Sequence, residues 1–191
     1  MCFLFPSYRG INEATMKQTI PDGVYPTLIT PYEEDGSIDW NALEALIEWH
    51  IARGVAGFFA VCQSSEMFHL TLRERLELAR MSIKFAQGRV PVLVSGHVAD
   101  TLYDQIEEAK MMADTGADAF ILVTNRLVHR HESDDVFKRN LEIFLDQFDR
   151  DILLGFYECP APYKRLLNAD LMRFVVETGR FGFLKDTSCR M

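Results

Sequence analysis

Short apolar runs alternate with amphipathic stretches along the whole chain, and this alternation constrains the fold more than any other feature. Val55–Val61 is an unbroken apolar run, as expected of a strand that is buried on both faces. Strands of this kind, separated by segments of helix length, predict a parallel sheet with right-handed crossovers. The predicted strands are 23–30, 55–61, 91–95, 119–124, 152–157 and 181–184.

Capping residues mark where the predicted helices begin and end. Asp39 is placed to cap the first helix, and Gly54 to end it. Residues 71–74 read Thr-Leu-Arg-Glu, which is a capping box and predicts the start of the second helix. The predicted helices are 39–54, 71–88, 101–116, 133–148 and 168–178.

Two α/β architectures compete for this pattern. A doubly wound nucleotide-binding fold would normally carry a glycine-rich turn after an early strand. The turn after the second predicted strand is Cys62-Gln63-Ser64-Ser65-Glu66, and neither a G-x-G-x-x-G sequence nor a P-loop occurs. The pattern favours a (β/α)8 TIM barrel, incomplete here, with six strands and five helices present and strands seven and eight missing. A typical barrel has about 250 residues, whereas this chain has 191.

Composition indicates a globular domain without nucleic-acid or membrane partners. Hydrophobic residues make up 48% of the sequence, the net charge is −8, and no apolar stretch is long enough to span a bilayer. Residues 1–19 show no periodicity and are expected to be a disordered extension, with Met16 rather than Met1 a candidate start. Residues 20–191 form the partial barrel domain. Four cysteines without a secretion signal favour the cytoplasm.

Cysteines and histidines near strand ends raise the question of a metal. Cys62, Cys159 and Cys189 each lie at or just past a predicted strand end. Their spacings match no zinc signature, and the His129-x-His131 pair is no stronger. We therefore expect no metal and no organic cofactor.

A lysine and a tyrosine end two successive predicted strands. Lys185 follows the apolar run 181–184, and Tyr157 ends the strand before it. A neutral amine can attack a ketone to form an imine, and an apolar barrel interior favours the neutral amine. A facing phenol can relay the protons that this reaction needs. The pair predicts Schiff-base chemistry, whereas either residue alone is more typical of a solvated loop lysine or a rim aromatic.

Several segments together resemble the pyruvate-dependent class I aldolases that include dihydrodipicolinate synthase and N-acetylneuraminate lyase. The resemblance runs from Gly23 to the end of the chain. It implies a Schiff-base role for Lys185, proton relay by Tyr157, and binding of the substrate carboxylate by Gln63, Ser64 and Ser65. The matching segments are 23–32, 35–39, 54–58, 116–119, Tyr157-x-x-Pro160 and Leu184-Lys185-Asp186.

The chain departs from the synthases of this family at three places. Gln63 replaces the first hydroxyl residue of the carboxylate turn and Ser65 replaces a glycine, although Ser64 keeps a hydroxyl. Asn125-Arg126-Leu127 stands where the synthases carry Pro-Tyr-Tyr, and Pro162 stands where they carry an arginine for the second substrate. These differences predict a lyase or aldolase that acts on a pyruvate-like 2-oxo acid with an altered acceptor site.

Two alternatives stay open from the sequence. Arg126, His129, Arg130 and His131 follow the fourth predicted strand and either recognise an acidic substrate or form an ordinary solvated loop. The whole chain is either an enzyme or a non-catalytic truncated barrel, because a barrel without its last strands has open edges. The resemblance also implies a homo-oligomer.

Overall fold

The computed structural model describes residues 2–4 and 20–189. It is an α/β structure whose sheet has the strand order β1-β6-β5-β4-β3-β2. The strands from β2 to β6 are parallel, and β1 is antiparallel to β6. The strands are β1 (Cys2–Leu4), β2 (Phe58–Ala60), β3 (Val92–Val94), β4 (Ala119–Val123), β5 (Leu153–Tyr157) and β6 (Phe181–Lys185).

The helices begin at the capping residues that the sequence predicts. Asp39, Ser133 and Asn168 each accept a hydrogen bond from the first turn of a helix, and Thr71 and Glu74 form the predicted capping box. A single helical turn after β4 is not predicted. The helices are α1 (Trp40–Ile51), α2 (Leu72–Ala86), α3 (Leu102–Ala113), α4 (Thr124–Leu127), α5 (Asp134–Gln147) and α6 (Ala169–Glu177).

The two ends of the sheet differ from the sequence expectation. Residues 23–30 lie parallel to β2 but form only one isolated bridge, between Thr27 and Phe59. Pro26 and Pro31 lack the N–H that a continuous ladder requires, so this segment is shorter than the predicted strand. At the opposite edge, residues 2–4 form β1, where no strand is predicted. The expected disorder of residues 5–19 and the candidate start at Met16 lie outside the described residues.

A bulge in β6 sets the direction of its last residues. Leu154 pairs with Phe181, but the next residue of β5, Gly155, pairs with Phe183, so β6 holds one extra residue. Phe181 therefore stacks on Phe156 in the layer between sheet and helices, whereas Phe183 lies against Phe59 on the concave face. Without the bulge, alternation would place both on one face. Lys185 follows Phe183 on the concave side.

Candidate functional site

The carboxyl ends of the parallel strands bring the predicted site residues to one rim. Tyr157 and Lys185 are the last residues of β5 and β6 and are paired in register. β2 leads into a single 3-10 turn, Gln63–Ser65. The barrel interpretation predicts this placement, since chemistry in barrels belongs to the C-terminal strand ends.

The Lys185 side chain lies over two aromatic rings on the concave face. Its Nζ is 4.5 Å from the centroid of the Tyr157 ring and 5.2 Å from that of Phe59. The two rings meet edge to face, with centroids 5.6 Å apart. The amine therefore faces an apolar, aromatic wall that holds it beside the phenol.

The Tyr157 hydroxyl donates a hydrogen bond to Gln63 Oε1 over 3.2 Å. Burial raises the pKa of the Tyr157 phenol above its usual range, and the neighbouring Cys159 and Cys62 add to this. The phenol is therefore protonated at neutral pH. In that form it can supply a proton to a leaving hydroxyl.

A second donor reaches the same oxygen of Gln63. Cys159 Sγ lies 3.4 Å from Gln63 Oε1, and burial raises the pKa of this thiol, which favours its protonated form. The Tyr157 hydroxyl and the Cys159 thiol thus both lie within hydrogen-bond distance of the amide oxygen, and the single thiol proton is shared with Ala161 O, 3.3 Å from Sγ. Both side-chain hydrogen bonds of Gln63 within the described part of the chain involve Oε1, and Nε2 makes none. The amide is consequently oriented to present its N–H donors to a further group.

The turn that carries Gln63 begins in strained backbone. Val61 is fully buried and has φ 51°, a left-handed conformation that a β-branched residue rarely adopts. Strain of this kind persists only where the surrounding structure enforces it, and it is frequent at functional sites. Gly96 packs so closely that an added Cβ would lie 2.9 Å from Val61 Cγ1. The turn is therefore set by packing from the neighbouring strand.

The two serines of this turn have different roles. Ser64 is exposed, so its hydroxyl faces solvent at the rim. Ser65 is fully buried; its hydroxyl donates to Leu28 O over 2.5 Å and accepts from Cys62 N over 3.1 Å. The hydroxyl of Ser65 is thus engaged in stabilising the turn. Of the predicted carboxylate-binding residues, Gln63 and Ser64 have groups that can still meet a ligand.

The basic residues after β4 are not brought together as one cluster. Arg126 donates to the main-chain oxygens of Val98 and Ala99 over 2.8 and 2.6 Å, so its guanidinium secures the loop after β3. His129, Arg130 and His131 are all exposed. These side chains therefore do not form a joint anion site with Arg126.

Sequence reasoning assigned no role to two residues that complete this rim. Phe59 forms the wall under the Lys185 amine, and Glu158 is a buried carboxylate directly after Tyr157. The signal for Glu158 was available, since a charged residue immediately after a buried strand is unusual. From the sequence, Cys159 is considered only as a metal ligand. Among residues 2–4 and 20–189, no group of three or more His, Cys, Asp or Glu could hold a metal ion, and no helix is long and apolar enough to cross a membrane.

Comparison with known proteins identifies the family to which the chain belongs. The profile of the Dihydrodipicolinate synthetase family matches residues 20–135, more than half of the chain. The 4-hydroxy-tetrahydrodipicolinate synthase of Shewanella piezotolerans is 35% identical over 103 residues, which are 54% of this chain and 35% of that protein. The chain thus aligns with about a third of the length of this curated relative.

Solved structures extend the similarity over more of the fold. Dihydrodipicolinate synthase from Bacteroides thetaiotaomicron is 27% identical, with a TM-score of 0.78 over 91% of this chain and 57% of that one. The dihydrodipicolinate synthase of Acinetobacter baumannii, solved in complex with pyruvate, is 29% identical, with a TM-score of 0.66 over 74% of this chain and 47% of that one. The predicted incomplete barrel is confirmed, and the chain belongs to the dihydrodipicolinate synthetase family.

Proposed function

We propose that this chain forms a Schiff base between Lys185 and the carbonyl carbon of a pyruvate-like 2-oxo acid. The observation that carries the proposal is the position of the Lys185 amine, 4.5 Å from the ring of a protonated, buried tyrosine. The A. baumannii relative was solved with pyruvate, which supports the choice of ligand class. Membership of the family supports a lyase or aldolase reaction.

The residues divide the chemistry between them. The Lys185 amine attacks the ketone carbon to give a carbinolamine. Tyr157 donates a proton to the departing hydroxyl, which leaves as water and yields the imine. The imine then withdraws electrons, so that a proton can leave the adjacent carbon and the resulting enamine can attack an acceptor carbonyl. The reverse sequence cleaves a carbon–carbon bond.

The Gln63 turn provides the means to hold the substrate carboxylate. Gln63 Nε2 and the Ser64 hydroxyl are donors at the rim, and donors of this kind satisfy a carboxylate. An amide oxygen, unlike a hydroxyl, does not exchange protons readily. Gln63 therefore orients the Tyr157 phenol without acting as the next member of a proton relay.

The acceptor site differs from that of the synthases. Asn125 is buried and donates to the main-chain oxygens of Cys159, Ala161 and Tyr163, which anchors the loop after β5. Pro162, in the same loop, offers no charge for an acceptor carboxylate. We infer that the second substrate is different from the aldehyde of lysine biosynthesis.

Borohydride trapping with pyruvate tests the proposal. Mass mapping is expected to find a stable reduced adduct on Lys185 in the wild type and none in K185M. The matched control K84M, at a lysine on α2 far from the rim, should trap as the wild type does. A folded protein without an adduct on Lys185 would contradict the proposal and favour the non-catalytic alternative. The homo-oligomer and the cytoplasmic location stay predictions; light scattering would test the first.

A further inference from the structure

The loops that follow β5 and β6 are joined through one buried side chain. Glu158 is 2% exposed and lies between Tyr157 and the loop after β5. Its Oε1 accepts a hydrogen bond from Leu167 N over 2.8 Å, and its Oε2 accepts one from Thr187 N over 3.0 Å. One carboxylate therefore binds the main chain of both loops.

The main chain of Glu158 makes two more bonds to the same partner segment. Its N–H donates to Lys185 O over 3.2 Å, and its carbonyl oxygen accepts from Thr187 Oγ1 over 2.6 Å. Three of the four bonds thus reach residues 185–187, from the residue adjacent to Tyr157. The relative position of the two strand ends depends on Glu158.

A carboxyl group suits this place better than its amide isostere. Both main-chain contacts of the side chain come from N–H donors, and each oxygen of a carboxyl group can accept one of them. A glutamine would offer one oxygen and would turn an N–H group towards the other donor. A charge held here is unfavourable, because burial raises the pKa of the Glu158 carboxyl. The N–H groups of Leu167 and Thr187 oppose this increase, and the hydrogen bond and charge of Asp186 add to it. Since the folded pKa is raised, stability falls as the pH rises through it and Glu158 ionises.

We infer that Glu158 is a positioning residue that fixes the Lys185 amine against the Tyr157 ring. What this alignment achieves chemically rests on the proposed function, whereas the alignment itself is a property of the fold. A small displacement between an amine and its proton donor lowers the rate of a reaction strongly. Glu158 thus contributes to the geometry of the site at a position where its charge opposes stability.

The alignment can be measured without any substrate. Reductive methylation with ¹³C-formaldehyde labels the Lys185 amine, and K185R identifies its resonance. In the wild type the methyl protons should be shifted upfield, because the amine lies over the Tyr157 and Phe59 rings. E158Q is expected to lose at least half of this shift. The matched control E142Q, at an exposed position of α5, should keep it.

Trapping with pyruvate and borohydride then tests the consequence. We expect the maximal trapping rate of E158Q to fall about tenfold to hundredfold, while half-saturating pyruvate changes less than twofold, because the Gln63 turn is untouched. T187V removes one bond to Glu158 and should give a smaller loss, which T187S restores. Thermal melts show whether E158Q and T187V unfold as cooperatively as the wild type. The upfield shift of the Lys185 methyl protons and the trapping rate are then compared in a variant that does.

The two proposals fail in different ways. A wild type that gives no adduct refutes the proposed function, while the resonance of the labelled Lys185 still decides the role of Glu158. A folded E158Q or T187V that keeps the full upfield shift overturns the inference, whatever its trapping rate.

Discussion

Two parts of the same rim use buried polar residues for opposite purposes. In the β3–β4 rim, defined here by Arg75, His97, Glu108 and Arg126, the polar groups bind the loop after β3. Glu108 pairs with Arg75, and its Oε2 accepts from Val98 N and Ala99 N over 2.7 and 2.9 Å. His97 Nε2 accepts from Val123 N over 2.7 Å.

In the β5–β6 rim, defined by Tyr157, Glu158 and Lys185, some donors are left for a ligand. Lys185 faces aromatic rings rather than a carboxylate, and the Tyr157 hydroxyl is bonded to the Gln63 amide oxygen and lies beside the Cys159 thiol. A position at a strand end is therefore not enough to indicate function. The distinguishing feature is a polar group that still has a hydrogen-bond donor available to a ligand on the concave face.

Breaking the ion pair of the β3–β4 rim should have the largest effect. R75M leaves Glu108 as a buried carboxylate without its cation, and we expect a loss of about 3–5 kcal/mol in the free energy of unfolding. Chemical denaturation measures it. R75M/E108Q, which removes both charges, should recover part of the loss. An unchanged denaturation midpoint in R75M would show that the ion pair does not stabilise the fold.

Removing the phenol of the β5–β6 rim should affect rate and spare stability. Y157F is expected to lower the maximal trapping rate with pyruvate about a hundredfold, the usual scale of a lost general acid. Its unfolding free energy should fall by only about 1 kcal/mol, the usual net contribution of a hydrogen bond such as the one from the hydroxyl to Gln63. Equal maximal trapping rates for Y157F and the wild type would show that the Tyr157 hydroxyl is not needed for imine formation.

Acid should weaken the β3–β4 rim through His97. Burial, with the positive charge of Arg126 adding, lowers the pKa of this imidazole to about 3. The unfolded state therefore binds a proton that the folded state excludes, and stability falls as the pH drops below about 6.5. Between about pH 6.5 and about pH 5 this contributes about 2 kcal/mol. Denaturation of wild type and H97Q over that range measures it; parallel pH profiles would contradict the assignment.

The smallest expected effect concerns the Gln63 turn. Q63A should raise half-saturating pyruvate for trapping about tenfold, as expected for one lost hydrogen bond to a charged group. Trapping at saturating pyruvate should change less. S64A is the companion variant, with a lesser increase because its hydroxyl is exposed. If neither variant alters the pyruvate dependence, the carboxylate is bound elsewhere.

The sequence was sufficient for the order of elements and for the placement of Tyr157 and Lys185 at adjacent strand ends. Apolar runs and capping residues such as Thr71 act locally, so they predict helices and buried strands without knowledge of packing. Tyr157 and Lys185 were found because each ends such a run. The strand predicted over residues 23–30 is longer than the pairing that the structure shows, because Pro26 and Pro31 limit that pairing.

Features that depend on distant contacts were beyond the sequence. The different roles of Ser64 and Ser65 follow from Leu28, which lies 37 positions from Ser65 and accepts its hydroxyl. The structural use of Arg126 follows from the loop after β3. The bulge in β6 had a local sign, Gly182 within a strand. Its effect on the direction of Lys185 required the register with β5.

The hydrogen bond between Tyr157 and Gln63 has a consequence for the order in which the site assembles. These residues are 94 positions apart in the sequence, whereas Tyr157 and Lys185 belong to one β-α-β unit. Contacts that close long loops carry a larger entropic cost and form later in folding. The amine and the phenol should therefore meet while the chain is still partly folded, and the Gln63 turn should join them last. On mild denaturation the same turn should separate first, so the proposed carboxylate contact should be lost while Lys185 and Tyr157 are still aligned.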